Sequence, residues 1–354
     1  MILIIGDYYS GTGPALVTKY YIENLTGVSL PCNGEATGSA GGMGSRPDGS
    51  GARKADYIVS RGKAARFFEL IFKIPRASVL FISGHSRQNI LAMRIGKLFG
   101  RKSAYLMHGA VEYENSINHA ENEQMAHDER RMMEMADLIL AVSRQFENWL
   151  KEHYPQHAGK IDHVTNGIDW DIMTENATDD ERDPEGIISV GGGMPRKCII
   201  NICKAVEKLN IKGHNITLTV AGDRGADSDA IAAYPFVRDV GLISHDELMR
   251  EYHRNKIFIQ NSVFETFGLA PLEALLSYAD VLISKECGAL SVIKKTEDMD
   301  IISDPRNIDE IESRIETLLK EENHTRLLVE LDKESTSWRK RTAELEAKLK
   351  ALSS

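Results

Sequence analysis

Short apolar runs recur along the chain, each closed by small or polar residues and followed by a stretch with helical spacing. Ile2–Ile5 is the first run, Gly6–Pro14 is a glycine-rich turn, and Ala15–Leu25 has the spacing of a helix. The pattern predicts strands at Ser78–Ile82, Ser103–Met107 and Leu138–Val142, with helices at Gly62–Phe72, Ile90–Phe99, Glu114–Met135 and Arg144–Glu152. Ser143 is placed to cap the last of these. After an acidic stretch poor in aliphatics, Trp170–Gly186, the alternation resumes with strands at Gly186–Val190, Asn215–Ala221, Val237–Leu242 and Ala279–Ser284. Helices follow at Ile199–Leu209, from Ser244 through Tyr252, and at Ile308–Lys320. Ser244 with Glu247 forms a capping-box pattern. Such β-loop-α repetition defines an α/β protein with doubly wound, mostly parallel sheets.

At 354 residues the chain is too long for one ordinary core and suits two domains. The boundaries read as 1–169, a linker 170–185, a second domain 186–322, and a charged helical tail 323–354. Asn33–Gly51 departs from the pattern: seven glycines in this stretch leave too little apolar surface to order it. It reads as a loop, either closing over a ligand or inert.

Composition narrows the function. Apolar content of 42% and charged content of 27% describe a globular protein, and the formal charge is -9. No long Lys/Arg run or basic stripe with interleaved aromatics is visible, so nucleic acid is not an expected partner. Cys32, Cys198, Cys203 and Cys287 form no CxxC, and neither a disulfide framework nor a metal site is expected. The opening MILIIG run lacks a basic lead and is too short for a signal peptide or membrane span. A cytoplasmic protein is expected. Peripheral attachment to the inner membrane face stays open, although no clear basic amphipathic helix is visible.

Three places carry candidate chemistry. The first is the loop Gly11-Thr12-Gly13, which can bring backbone amides near an anion or a sugar. It matches a dinucleotide fingerprint poorly because Leu16 stands where the third glycine belongs, and a turn that simply needs glycine is the other reading. His85 and His108 also follow strands, on what should be the ligand-binding carboxyl edge of the same sheet. The second is Gly191-Gly192-Gly193-Met194-Pro195-Arg196-Lys197, which joins flexible backbone to two adjacent cations. That combination suits a diphosphate, or else two solvated charges at a helix start. The third is Phe264–Leu275, where Glu265 and Glu273 flank a strand-loop-helix junction. A ligand across that helix start could meet both acids; alternatively one caps a loop and the other faces solvent.

Taken in order, these segments resemble family 4 of the retaining glycosyltransferases, which have the GT-B fold of two Rossmann-like domains facing across a cleft. The firmest markers are Val164–Asp169, like the family's NGID segment, and Ser262–Ala274, which fits its E-x7-E signature with Glu265 and Glu273. Gly11 to Pro14, His108-Gly109, Ser143, Gly191 with Lys197, Gly222-Asp223 and Ser337-Trp338 are secondary markers. The resemblance implies transfer of a sugar from a UDP- or GDP-sugar to a hydroxyl acceptor with retention, without metal or other cofactor. By it, the first domain takes the acceptor, with Gly11, Thr12, Gly13 and His85 near it, and the second takes the donor. Gly191, Gly192, Arg196 and Lys197 would meet the diphosphate, as would amides around Thr266, Phe267, Gly268 and Leu269. Glu265 would hold the sugar hydroxyls, Glu273 the ribose, and His108 would lie near the reacting sugar. The tail would cross back to the first domain.

Glycans, lipid-linked sugars, proteins and small molecules all remain open as acceptors, and the oligomeric state is not legible. A non-catalytic partner of the same fold and a sugar-nucleotide epimerase are the other functions the pattern allows. Four residues depart from the family pattern. Gly192 stands where an arginine is frequent, Cys198 and Tyr278 where glycines are, and Asn261 where a proline is. Arg196 could replace the missing arginine charge.

Overall fold

The computed structural model describes residues 1–30, 54–172 and 182–354. The glycine-rich stretch 33–51, Cys32 and the Asp179-Asp180 pair of the expected linker lie outside the described residues. The chain divides into two compact units. The first comprises Met1–Val111, Asn122–Gly167 and Trp338–Ser354; the second comprises Glu112–Glu121 and Ile168–Ser337.

The first unit is built on β1 (Ile2–Ile5), β2 (Ala55–Tyr57), β3 (Val79–Ser83), β4 (Lys102–Met107), β5 (Leu138–Ala141) and β6 (Ile161–His163). All pairs are parallel, in the order β2-β1-β3-β4-β5-β6. Strands covered on both faces read as continuous apolar runs, and β1 and β3 are buried at every position. Order reverses between β1 and β3, so the crevice outside their carboxyl ends is the expected ligand position. The helix Trp338–Ser353 completes this unit by packing on the helix Gly13–Thr26. Trp338 stacks on Tyr20 at 4.7 Å and meets Tyr21 edge-on at 5.4 Å. Gly167 is required beneath it, because a β-carbon there would lie 2.5 Å from the indole.

The second unit contains β7 (Asp183–Val190), β8 (Thr217–Ala221), β9 (Val237–Gly241), β10 (Asn255–Gln260), β11 (Asp280–Ser284) and β12 (Ile301–Ile302). Its parallel order is β12-β11-β10-β7-β8-β9, which reverses between β7 and β10. The helices Ile199–Ile211 and Ile308–Lys320 pack together over one face and bury Ile202, Val206, Ile311 and Ile315.

Some boundaries differ from the sequence reading. The expected helix Glu114–Met135 is two helices, Val111–Asn118 and Glu123–Met135. His119 separates them with φ 52°, a left-handed conformation that stops a helix. The pieces go to different units, since Glu112–Glu121 belongs to the second. β7 starts at Asp183, inside the expected linker, because its acidic side chains have local partners. Glu185 accepts from His214 Nδ1 and Asn215 N at 2.9 Å, and Asp183 accepts from Thr217 Oγ1 at 3.1 Å. β2, β6 and β12 carry too few residues to show a period. The tail is two short helices, His324–Val329 and Lys333–Thr336, before the long one.

Candidate functional site

In the second unit, the loops after β7 and β10 emerge side by side at the switch point of the sheet, where open α/β sheets bind ligands. The β7 loop turns at once into its neighbour. Gly191 N and Gly192 N both donate to Ala221 O, at 2.8 and 3.0 Å, and Gly193 N donates to Asp223 O at 3.2 Å. A β-carbon on Gly192, whose φ is 53°, would lie 1.9 Å from Asp223 O, and one on Gly193 would lie 2.1 Å from Ser228 Oγ. No side chain fits at 192. The absence of an arginine there follows from the packing of this loop against Gly222–Gly225.

The charge sits one short turn further on. Pro195–Lys197 forms a 3-10 turn, and the stem of Lys197 lies so close to Gly191 that a β-carbon there would meet its Cγ at 2.5 Å. Lys197 Nζ binds Glu265 Oε2. Arg196 Nη1 reaches the same oxygen at 3.4 Å and donates to Phe264 O at 3.1 Å, while its Nε faces Glu114 Oε2 at 3.6 Å. Gln260 Nε2 approaches Glu265 Oε2 at 3.5 Å and donates to Ser262 Oγ at 2.6 Å. The backbone locks the two loops together: Val263 N donates to Arg196 O at 3.0 Å, and Arg196 N donates to Asn118 Oδ1 at 3.1 Å.

The result is a largely buried cluster of two cations and two carboxylates, with Glu114 its most exposed member. Burial pushes the Glu265 carboxyl up, but Lys197 and then Arg196 outweigh it and hold the group below its ordinary range. Burial lowers the Lys197 ammonium, and Glu265 offsets only part of that. Burial also works against the Arg196 guanidinium, yet Glu265 and Glu114 raise it overall.

Beyond Glu265 the backbone turns through Gly268 at φ 83° into the helix Ala270–Leu276. A β-carbon on Gly268 would lie 2.9 Å from Cys287 Sγ and 3.1 Å from Glu265 Cγ. The turn is held by Gly288 N to Glu265 O at 3.0 Å and by Ala289 N to Phe267 O at 2.6 Å. Phe267 is buried, and Thr266 is nearly so. Leu269 leads directly into the helix. Glu273 lies on that helix and is not bonded to Glu265. It faces His245 Nε2 at 3.4 Å, and the hydrogen bond to Glu273 raises the His245 pKa.

All four departures from the family pattern have a structural account. Cys198 and Tyr278, which stand where glycine is frequent, keep glycine's left-handed backbone with φ 47° and 63°. Asn261 Nδ2 donates to Cys198 O at 3.2 Å and Pro305 O at 3.0 Å, ties that a proline could not make. Gly192 is explained above.

The first unit gathers the remaining candidates on its own carboxyl edge. Gly11 turns at φ 67°, and Thr12 caps the helix that starts at Gly13 by accepting from Ala15 N at 3.4 Å. His85 follows β3 and His108 follows β4. Burial lowers the His85 pKa, with Asp128 opposing. Burial, and secondly His85, push the His108 pKa down to about 3. A relay of hydroxyls orients His108. Thr18 Oγ1 donates to Pro14 O at 2.8 Å and so accepts from Ser83 Oγ at 2.7 Å. Ser83 then accepts from His108 Nε2–H at 2.8 Å. The ring is neutral and carries its proton on Nε2.

Glu114, Asn118, Gln260 and His245 were not singled out from the sequence. The capping box at Ser244 put His245 at a helix start, but nothing local pointed it at Glu273. Among the described residues, one group has the spacing of metal ligands: Glu147, Asp162 and His163. It lies in the first unit, and lysines already occupy it: Lys151 Nζ binds Glu147 at 2.5 Å and Lys348 binds Asp162.

Residues 174–335 match the family described as glycosyl transferases group 1. Among curated proteins, none matches the sequence significantly. Solved structures are similar over nearly the whole chain. Anabaena Alr3699/HepE in complex with UDP and glucose aligns with a TM-score of 0.67 at 12% identity, covering 99% of this chain and 100% of that one. A UDP-forming trehalose-phosphate synthase from Burkholderia xenovorans aligns at 0.64 and 12% identity, covering 100% and 99%. The sucrose-phosphate synthase of Thermosynechococcus elongatus aligns at 0.63 and 16%, covering 99% and 96%. The fold is therefore GT-B, with two Rossmann-like parallel-sheet units.

Proposed function

We propose that the chain is a retaining glycosyltransferase that moves a sugar from a nucleoside-diphosphate sugar to a hydroxyl acceptor without a metal ion. The observation that carries this is the convergence of Lys197, Arg196 and Glu265 at the switch point between β7 and β10. The match of residues 174–335 to the glycosyl transferases group 1 family supports it. HepE and the Burkholderia synthase are both named with UDP, which favours a UDP-sugar over a GDP-sugar.

In this reading the diphosphate lies against Gly191 and Gly192 and the amides of Phe267, Gly268 and Leu269. Glu265 keeps two cations in place while the site is empty and meets a donor-sugar hydroxyl when it is filled. As the bond from the anomeric carbon to the diphosphate breaks, negative charge grows on the leaving oxygen. Lys197 and Arg196 are positioned cations that stabilise it without reorganisation. Arg196 supplies the charge that position 192 cannot. The acceptor oxygen bonds to the anomeric carbon on the face the diphosphate leaves, and its proton passes to the leaving phosphate. Neither glutamate serves as a covalent nucleophile. Glu273, oriented by His245, holds the ribose. Gly11–Gly13, His85 and a neutral His108 serve the acceptor and the sugar; a ring with so low a pKa acts by hydrogen bonding rather than by charge.

Calorimetry without added metal tests this. UDP should bind, Lys197→Ala should weaken it, and turnover of a UDP-sugar should fall by about 100-fold or more. An absence of binding by UDP, GDP and ADP would sink the reading. Product stereochemistry by NMR decides retention.

A further inference from the structure

The helix Lys63–Lys73 shows most of its large apolar side chains to solvent. Three of its four charged side chains turn toward the protein, while Lys63 stays exposed: Arg66 is buried and donates to Asn89 Oδ1 at 3.4 Å. Glu69 accepts from the amides of Val59 and Ser60, at 3.0 and 2.8 Å, and Lys73 pairs with Glu69 at 2.9 Å. Leu70 is buried, but four large apolar side chains face outward, with Phe68 60% and Phe72 63% exposed beside the exposed Phe67 and Ile71. A surface helix ordinarily does the reverse. The patch continues onto the end of the helix Arg87–Leu98, which packs beside it; Leu98 is 84% exposed and Phe99 also stands out. Arg101 Nη2 fastens the two helix ends together by donating to Pro75 O at 2.7 Å.

The charge around this patch runs against the rest of the chain. Between Ile58 and Ser78 stand five Lys and Arg and one acid, Glu69; from Arg87 through Ser103, Arg87 included, stand five and no acid. The chain as a whole is acidic at -9. Arg61, Lys63, Arg76, Arg94 and Lys97 are exposed. An aromatic helix face flanked by exposed cations is thus present, because the helix's period points away from the core.

We propose that this face docks on an anionic lipid bilayer. The rows of cations complement lipid phosphates, and Phe68, Phe72 and Leu98 enter the headgroup–acyl boundary. A second copy suits it less, because a two-fold interface would set cations against cations. A nucleic acid would give Ile71 and Leu98 nothing to stack on. The inference stands apart from the proposed transfer reaction and does not need it.

Co-sedimentation of the full chain with phosphatidylcholine vesicles, with and without phosphatidylglycerol, tests it. The chain should pellet with the anionic vesicles and be released by salt. Phe68→Ser with Phe72→Ser should lower partitioning about 100-fold; both sites are exposed, so the melting temperature should hold. Arg94→Glu with Lys97→Glu should abolish the preference for anionic lipid. Failure to pellet with either vesicle would overturn the proposal, as would equal partitioning of the serine variant. So would a dimer by light scattering that the serine substitutions dissociate, or binding of an oligonucleotide in place of vesicles.

Discussion

Glu265→Gln isolates the electrostatics of the site without changing its volume. The carboxylate is 12% exposed, as is Lys197, and it is the partner of two cations. Arg196 retains Glu114 at 3.6 Å after the change, whereas Lys197 loses the carboxylate its ammonium binds. Removing one member of a buried pair costs about 3–5 kcal/mol, or roughly 10 °C in the melting of a unit this size. The loss should depend on pH. Glu265 has a depressed pKa in the fold, so its contribution is present above the ordinary carboxylate value of 4.5 and disappears as pH falls through the depressed one. Lys197 is also depressed, so the unfolded chain binds more protons between that value and 10.5, and stability rises with pH there. Without Glu265 that window widens downward. Urea titrations should therefore show a deficit that is largest where Lys197 is protonated and shrinks as pH rises toward 10.5 and the ammonium sheds its proton. If the proposed donor site is correct, UDP should restore the missing anion and raise the melting temperature more in the variant than in the parent. A deficit below about 1 kcal/mol, well under the cost of breaking a buried pair, or an equal UDP response would refute the reasoning.

Other outcomes follow from the same geometry. Nitrogen-15 spectra should show His108 neutral with its proton on Nε2 at pH 5, and Ser83→Ala should weaken that preference; a protonated ring at pH 5 would contradict the relay. Gly192→Ala should cost about 2 kcal/mol or more, since both the left-handed backbone and Asp223 O oppose it, and denaturant unfolding measures it. Tyr278→Gly should raise stability by about 1 kcal/mol by relieving a left-handed tyrosine; a loss would show that the ring, 38% exposed, has packing of greater value.

Much of this was legible because it is local. The apolar runs of β1, β3 and β10 announce buried parallel strands, and the glycines and acids of Phe264–Leu275 announce a strand-loop-helix junction. The pairing of Glu265 with Lys197 and Arg196 was not legible, since it depends on β10 lying beside β7, which only the strand order fixes. Glu114 and Asn118 were hidden further: they read as the start of one long helix, and His119 alone ends it. His245 looked like a capping-box residue because its partner, Glu273, is held by another helix. Helix Lys63–Lys73 misled in the opposite sense. Its period is clear, but period alone does not say which face meets the core.

The chain's crossings between its units bear on how it is made. Residues 112–121, which anchor Arg196 through Glu114 and Asn118, leave the ribosome before any of the loop they support. Trp338 and its helix, which close the first unit over Tyr20, Tyr21 and Gly167, leave it only after the whole of the second unit. Synthesis from the N-terminus therefore cannot finish the first unit before the second has emerged. A chain truncated before Trp338 should leave Tyr20 and Tyr21 without their cover and be held by chaperones rather than released as a folded first half.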